Sequence, residues 1–297
     1  MIAITRRLIP VLAIGSIAAV TPVSSAQNAR DKGTHEIYVS VLDSKGAPVP
    51  GLTAADFMVR EDGNAREVLG ARIADEPLQV ALLIDDSQAA ADATSHLREG
   101  LAAFVERMHG KGEVALITIG ERPTVLTPYT KETEQLKERV GRIFPRSGAG
   151  AYLLDAILDA SRALGKREAA RGVILAVTFE GIDYSNRQYQ QVLDELRKSG
   201  AALHVIAVGT PSSSLSDEQR NRGMVIAEGT SRTGGRRDQV LAVSGLPDKL
   251  KQAADELINQ YVVSYTRPEM LIPPEKVEVT TKRPNLTVRA RTFVPRN

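Results

Sequence analysis

Neither cysteine nor tryptophan occurs in this 297-residue chain. Without cysteine there is no disulfide, no thiolate nucleophile and no zinc–thiolate site, so stability rests on packing. Histidine is scarce, and a general-base mechanism has only His35, His96, His109 and His204 to draw on. His204 falls in an apolar strand pattern and reads as packed core, whereas His96 and His109 lie on or at the end of a helix and read as solvated surface. After residue 26 no serine sits in a Gly-x-Ser-x-Gly elbow, which leaves acyl-transfer chemistry without a recognisable nucleophile. There is no Gly-x-x-x-x-Gly-Lys-Ser/Thr run, so Gly148-Ala149-Gly150 reads as a flexible loop before a helix rather than a phosphate cradle. Excess charge of one sign is missing too. The 38 basic and 36 acidic residues nearly cancel, so the chain offers no dense basic face for nucleic acid.

There is one long apolar run, Leu8 to Val20, preceded by Arg6 and Arg7 and followed by Ser24-Ser25-Ala26. A positive start, a short apolar centre broken by Pro10 and Gly15, and a small-residue close form the pattern of an export signal over residues 1–26. Cleavage is expected after Ala26, with an uncleaved anchor as the alternative, and the product is expected to be periplasmic or extracellular. No later stretch approaches the roughly 20 apolar residues of a membrane helix, so no span is expected after cleavage.

The remainder of the chain falls into three parts. Residues 34–75 alternate with period two, Ile37, Val39 and Val41 against Glu36, Tyr38 and Ser40, with turns at Asp43-Ser44-Lys45-Gly46 and Glu61-Asp62-Gly63-Asn64, which predicts a small antiparallel β unit. From Leu78 apolar runs at Val80–Ile84, Val114–Ile119, Val173–Thr178 and Leu203–Val208 alternate with helical stretches. That rhythm, with a weaker strand near Val240–Val243 and an edge strand at Thr124–Leu126, predicts an α/β fold: a doubly wound, mostly parallel six-stranded open sheet. Beyond Gln260 the chain turns extended again, and residues 275–295 read as a hairpin of Lys276–Thr281 and Leu286–Phe293. A lone hairpin is marginal in water, so it is expected to pack with residues 34–75 as a β-sandwich-like companion.

Asp85-x-Ser87 after the first core strand, Gly150-Ala151-Tyr152-Leu153-Leu154-Asp155-Ala156 opening a helix, Val177-Thr178-Phe179-Glu180-Gly181-Ile182-Asp183 and Thr233-Gly234-Gly235-Arg236 together resemble a von Willebrand factor type A domain, here over residues 78–266. The flanking segments Val49-x-Gly51-Leu52-Thr53-x-x-Asp56-Phe57-x-Val59-x-Glu61-Asp62-Gly63 and Gln260-Tyr261-Val262-Val263-Ser264-Tyr265 are similar to an exported bacterial, acidobacterial-type subfamily of these proteins. The resemblance implies an adhesion or assembly module, and in its metal-using members a metal-ion-dependent adhesion site of Asp-x-Ser-x-Ser, a Thr and an Asp on three loops. Asp85 and Ser87 match the first two positions. Ala89 and Ala151 stand where the second Ser and the Thr are implied, and Glu180 where the Asp is.

Magnesium demands near-octahedral oxygen coordination, and two alanines donate nothing to it. A degenerate site at Asp85, Ser87 and Glu180 is therefore expected, with no cofactor and at most weak Mg²⁺ or Mn²⁺ attraction. The leading expectation is a non-enzymatic module that binds a protein partner through the rim of Asp85–Ala89, Ser147–Ala151 and Phe179–Ser185. Asp85, Asp86, Ser87, Tyr152, Phe179, Glu180, Asp183 and Tyr184 are its candidate residues, the three rings being either contacts or loop packing. A working divalent-cation site and an unrecognised hydrolase are the two alternatives. The loop Arg232–Arg237 reads as structural, with a basic patch for an anionic partner as its alternative. Deleting residues 268–297 is expected to destabilise the residue 34–75 unit; melting and limited proteolysis of that unit check this, and no change in either removes the shared β domain.

Overall fold

The structure is a computed structural model, which describes residues 33–211, 216–268 and 271–294. The leader expected at residues 1–26 lies outside them.

Strand β1 (Thr34–Leu42) opens the described chain, followed by β2 (Phe57–Glu61), β3 (Asn64–Arg66) and β4 (Val68–Ile73). The α/β part then runs β5 (Leu78–Ile84), α1 (Thr94–Arg107), β6 (Gly112–Thr118), β7 (Thr124–Thr130), α2 (Thr133–Gly141), α3 (Leu153–Lys166), β8 (Gly172–Phe179), α4 (Tyr189–Ser199) and β9 (Ala202–Val208). It continues with α5 (Asp217–Met224), a π-helical turn (Val225–Gly229), α6 (Thr230–Thr233), β10 (Arg237–Val240) and α7 (Leu246–Ile258). Strands β11 (Tyr261–Thr266), β12 (Val277–Thr281) and β13 (Thr287–Ala290) close the chain.

The central sheet has the order β10-β9-β8-β5-β6-β7, parallel except for the edge strand β7. β5 explains the arrangement. Leu78, Val80, Leu82 and Ile84 face a layer of α1, α2 and α7, while Ala81 and Leu83 face the opposite layer of α3 and α4. A strand apolar on both faces is stable only when helices cover both sides. Because β5 pairs with β6 on one side and β8 on the other, the chain reverses direction of growth there, and a crevice opens at the strand carboxyl ends.

The termini build two antiparallel sheets, β13-β1-β11-β4 and β12-β2-β3, which share one core of Ile37, Val39, Phe57, Val59, Val263 and Val279 among others. Two boundaries differ from those expected of the sequence. β11 inserts between β1 and β4, so the α/β part ends near Gln260 instead of 266. Tyr261, Val263 and Tyr265 alternate toward the β core, and that burial decides the strand's sheet. The expected hairpin at 275–295 also divides: β12 pairs with β2 and β13 with β1, while the Lys276–Phe293 bridge and its flanking bonds link the segments beside the two strands. Each strand has a longer partner in the neighbouring sheets than in the other.

Arg171, at the foot of β8, holds the neck between the two parts. Its guanidinium donates to the carbonyls of Glu76 (3.0 Å) and Leu257 and to Gln260 Oε1 (3.1 Å), tying down both places where the chain crosses. The Ala74 N–H donates to the Gln260 carbonyl at 2.8 Å between the same two crossings. A second fastening lies at α7, where buried Glu256 accepts from Arg236 and from Arg289 of β13. The loop Arg232–Arg237 is built into this structure. Gly234 ends α6 in the left-handed region (φ 77°), and a Cβ on Gly235 would lie 1.8 Å from the Leu203 carbonyl oxygen. Arg236 is buried and paired with Asp238 and Glu256, so it presents no patch to a partner.

His204 of β9 is fully buried; its Nδ1 accepts from the Arg236 N–H at 3.3 Å and its Nε2 has no partner. Burial depresses its pKa from 6.5 to about 4, with Glu256 and Asp238 opposing and Arg236 and Arg289 assisting. The unfolded chain therefore binds the proton first as pH falls. Stability is complete above about pH 6.5 and declines by roughly 3 kcal/mol on the way to pH 4. Denaturant titrations are expected to show this slope in the wild type and a shallower one in His204→Gln, which keeps an acceptor for Arg236; equal slopes would refute the assignment.

Candidate functional site

Three loops meet at the carboxyl ends of β5, β6 and β8. Backbone bonds weld them. The Gln88 N–H donates to the Ala149 carbonyl (3.0 Å), Arg146 N–H to the Asp86 carbonyl (2.8 Å), Ala151 N–H to Ile182 (2.9 Å) and Tyr184 N–H to Ala151 (2.8 Å). Ser185 Oγ accepts from the Leu154 N–H at 3.0 Å, satisfying one of the free donors at the start of α3.

Within this frame Asp85 is wholly buried, and protein donors engage both of its oxygens. Oδ1 accepts from the Ser87 N–H (3.0 Å), and Oδ2 from the Phe179 N–H (2.9 Å) and the Thr178 hydroxyl (3.2 Å). The carboxylate thereby clips the end of β5 to the end of β8. Asp86 is occupied in the same way, Oδ1 by the Gly120 N–H (2.7 Å) and Oδ2 by Arg146 Nε (2.8 Å). The methyl of Ala89 stands beside Gly181, close enough that a Cβ on the glycine would lie 2.9 Å from it.

Glu180 turns its Oε2 to Arg222 Nη1 at 3.1 Å. Arg222, from α5, is buried; its Nη2 donates to Thr178 Oγ1 and to the Phe179 carbonyl, each at 3.3 Å, and its Nε lies 3.7 Å from Asp183 Oδ2. Asp183 Oδ1 accepts from the Ser185 N–H (2.9 Å), but Oδ2 has no hydrogen-bond partner. Burial raises the Asp183 pKa above the ordinary carboxylate range; neighbouring Asp85 adds to the rise and Arg222 opposes it. Among the described residues no group of three or more His, Cys, Asp or Glu converges as metal ligands.

The structure thus brings Asp85, Ser87, Glu180 and Asp183 to one place but corrects how several would serve as contacts. Asp85, Asp86, Ser87 and Asp183 are buried, and the carboxylates of Asp85, Asp86 and Asp183 accept bonds that hold the loops. Phe179 is only 5% exposed, because the odd residues of β8 face the α1 and α7 layer and Phe179 continues that row. Tyr152 is half-buried and packs at 6.0 Å, tilted, against Tyr184. What reaches solvent is Tyr184 (50%), Ile182 (63%) and, from the neighbouring loop, Phe144 (64%) under the Arg98 guanidinium. Gly150 makes room for this surface, since a Cβ there would fall 2.6 Å from the Tyr184 ring. Beside it runs a cleft of about 760 Å³ that Glu180, Ile182, Tyr184, Asn186, Thr210 and Gln219 help to line.

Sequence reasoning passed over Arg222, Arg146 and Phe144, and included Ile182 and Ser185 only as members of the rim segment Phe179–Ser185, without a role for either. Arg222 carries a signal in hindsight: it precedes Val225 and Ile226 by three and four positions, which places it on the one buried face of an otherwise solvated helix.

Residues 80–181 match the model of the von Willebrand factor type A domain family. A von Willebrand factor type A protein from Catenulispora acidiphila superposes with a TM-score of 0.51 at 11% identity, covering 89% of this chain and 75% of that one. Proximal thread matrix protein 1 from the mussel byssus, solved with a zinc-occupied MIDAS motif, gives 0.51 at 17% identity over 66% of this chain and 50% of its own. At such identities these likenesses speak for the fold. No curated protein matches. The chain contains a von Willebrand factor type A domain, flanked by strands from both termini.

The inward bonding of Asp85 makes a direct test. In chelator-treated protein, Asp85→Ala is expected to lose about 3 to 5 kcal/mol, because three donors lose a buried charged acceptor. An unchanged melting temperature in EDTA would show that the carboxylate holds nothing in the metal-free protein.

Proposed function

We propose that this protein is an exported, non-enzymatic interaction module whose rim takes a protein partner without a divalent cation. Type A domains mediate protein–protein interaction or adhesion, and this chain carries the fold. The observation that carries the metal-independent part is the engagement of both Asp85 oxygens by Ser87, Thr178 and Phe179. A cation at that position would have to break charge-assisted hydrogen bonds and would find methyl groups at Ala89 and Ala151 in place of two hydroxyl ligands. Glu180, committed to Arg222, is turned away from the role of third-loop ligand.

The partner surface is narrower than the eight residues named from the sequence. Ile182 and Tyr184 stand exposed on loops fixed by backbone bonds, so little ordering entropy is lost on binding. Half-exposed aromatic and aliphatic groups on a rigid rim are the type of anchor that dominates interface energy. Export rests on the leader pattern at residues 1–26. Among the described residues no helix is long and apolar enough to cross a membrane.

Capture from the exported fraction by immobilised protein checks the reading. The same partner is expected with magnesium and with EDTA, and its affinity is expected to fall about tenfold or more in Ile182→Asp/Tyr184→Ser. Capture that needs the cation, or that survives the double substitution, would overturn it.

A further inference from the structure

The cleft beside the rim has two walls, the third loop on one side and the first turn of α5 on the other. Gln219 ties them together, its Nε2 donating to the Gly181 carbonyl at 3.3 Å. Other bonds set each wall before anything binds. The Tyr184 N–H donates to the Ala151 carbonyl (2.8 Å) and the Ser185 N–H to Asp183 Oδ1 (2.9 Å), while the Ser216 hydroxyl caps α5 by accepting from the Gln219 N–H (3.3 Å). Gly209, at φ 107°, lets the chain lie against Glu180, since a Cβ there would stand 3.2 Å from the Glu180 Cβ. The volume of about 760 Å³ falls within the roughly 300 to 1,000 Å³ of small-molecule sites.

The lining combines an exposed ring with uncharged polar groups. Tyr184 and Ile182 supply apolar surface, and the Asn186 amide, the Gln219 Oε1 and the Thr210 hydroxyl share the cleft with them. Among the described residues no lysine or arginine lines it, so an anionic ligand finds no counter-charge. The acidic groups are largely spent. Glu180 Oε2 is held by Arg222 (3.1 Å), and the Asp183 side chain is 2% exposed with Oδ1 on the Ser185 N–H. That leaves Glu218, in the first turn of α5, where the helix end already favours a negative charge. Among the described residues no set of carboxylates converges to hold a metal ion either.

A pyranose matches this lining in kind. Its hydroxyls both donate and accept, so neighbouring pairs suit a planar amide, which offers a donor and an acceptor side by side, and suit a carboxylate oxygen as acceptor. Its C–H faces suit an aromatic ring, and the phenol adds a polar tip. We propose that this cleft binds a neutral saccharide, with the Tyr184 ring under one sugar face and Asn186, Gln219 and the second oxygen of Glu180 bonded to its hydroxyls. The site goes beyond the protein-binding rim and does not depend on it, because Asn186 and Gln219 face the cleft and are not among the rim anchors Ile182 and Tyr184. Walls fixed by backbone bonds spare the ligand the cost of ordering them.

The test titrates the full chain with maltose, lactose, mannobiose and N,N′-diacetylchitobiose as neutral probes, chitobiose as a cationic one and digalacturonate as an anionic one, followed by saturation-transfer NMR and calorimetry. At least one neutral probe is expected to bind with a Kd of about 1 mM. Tyr184→Ala and Asn186→Ala are each expected to weaken it about fivefold or more, and Tyr184→Phe, which keeps the ring, about twofold or less. Both side chains are exposed, so melting temperatures are expected to stay at the wild-type value, which separates a lost contact from a lost fold. Capture of the protein partner is expected to survive Asn186→Ala. No saturable binding of any neutral probe at about 20 mM, tighter binding of either charged probe, or affinity unchanged in Tyr184→Ala and Asn186→Ala overturns the saccharide site and leaves the protein-binding rim standing.

Discussion

The carboxylate of Asp85 ends the central strand out of reach of water, held by donors from its own turn and from the end of β8. Much else at the top of the sheet depends on that one group. It fixes the direction in which the first loop leaves β5, and with it the place where Asp86 meets Gly120 and Arg146. It fixes the start of the third loop, so that Glu180 and Asp183 fall within reach of Arg222. A buried negative charge is tolerated only where polar donors surround it, and here they are two backbone N–H groups at the strand ends and the Thr178 hydroxyl.

The β part at the other end of the molecule is joined as firmly. Arg171 closes the neck by donating to carbonyls on both crossings, and the Glu256 carboxylate joins α7 to Arg236 and to the last strand, β13. Breaking either would leave an uncompensated charge in the interior, which costs more than the pair itself contributes. Because β13 and β1 are neighbours, residues far apart in the chain share one sheet, and the rim sits on a frame closed at both ends. That rigidity is what lets a few exposed side chains, Ile182 and Tyr184, serve as a surface.

Much of the fold could be read from the residue pattern. The two-sided apolar runs of β5, β6, β8 and β9 announce a covered parallel sheet, with helical stretches alternating between its strands. Less could be read at the termini, where β12 and β13 look like one hairpin but join different sheets. Alternation tells which face of a strand is buried and is silent on which neighbour it pairs with. At the rim, the spacing of Asp85, Ser87 and Glu180 marked the place, and the alanines at 89 and 151 marked what it lacks. The sequence left Phe179 as either a contact or loop packing; the register of β8 turns it inward.

Local chemistry, then, lay in the sequence itself: which segments are strands or helices, which loops carry oxygen ligands, and which ligand positions hold methyl groups. The tertiary structure alone decided that Asp85 spends its oxygens on the protein, that Arg222 from a helix some forty residues beyond Glu180 supplies the positive charge, and that Ile182 and Tyr184 face outward. The reason is physical. Propensity and periodicity act over a few neighbouring residues, whereas hydrogen bonding and ion pairing act over ångströms between segments that only folding brings together.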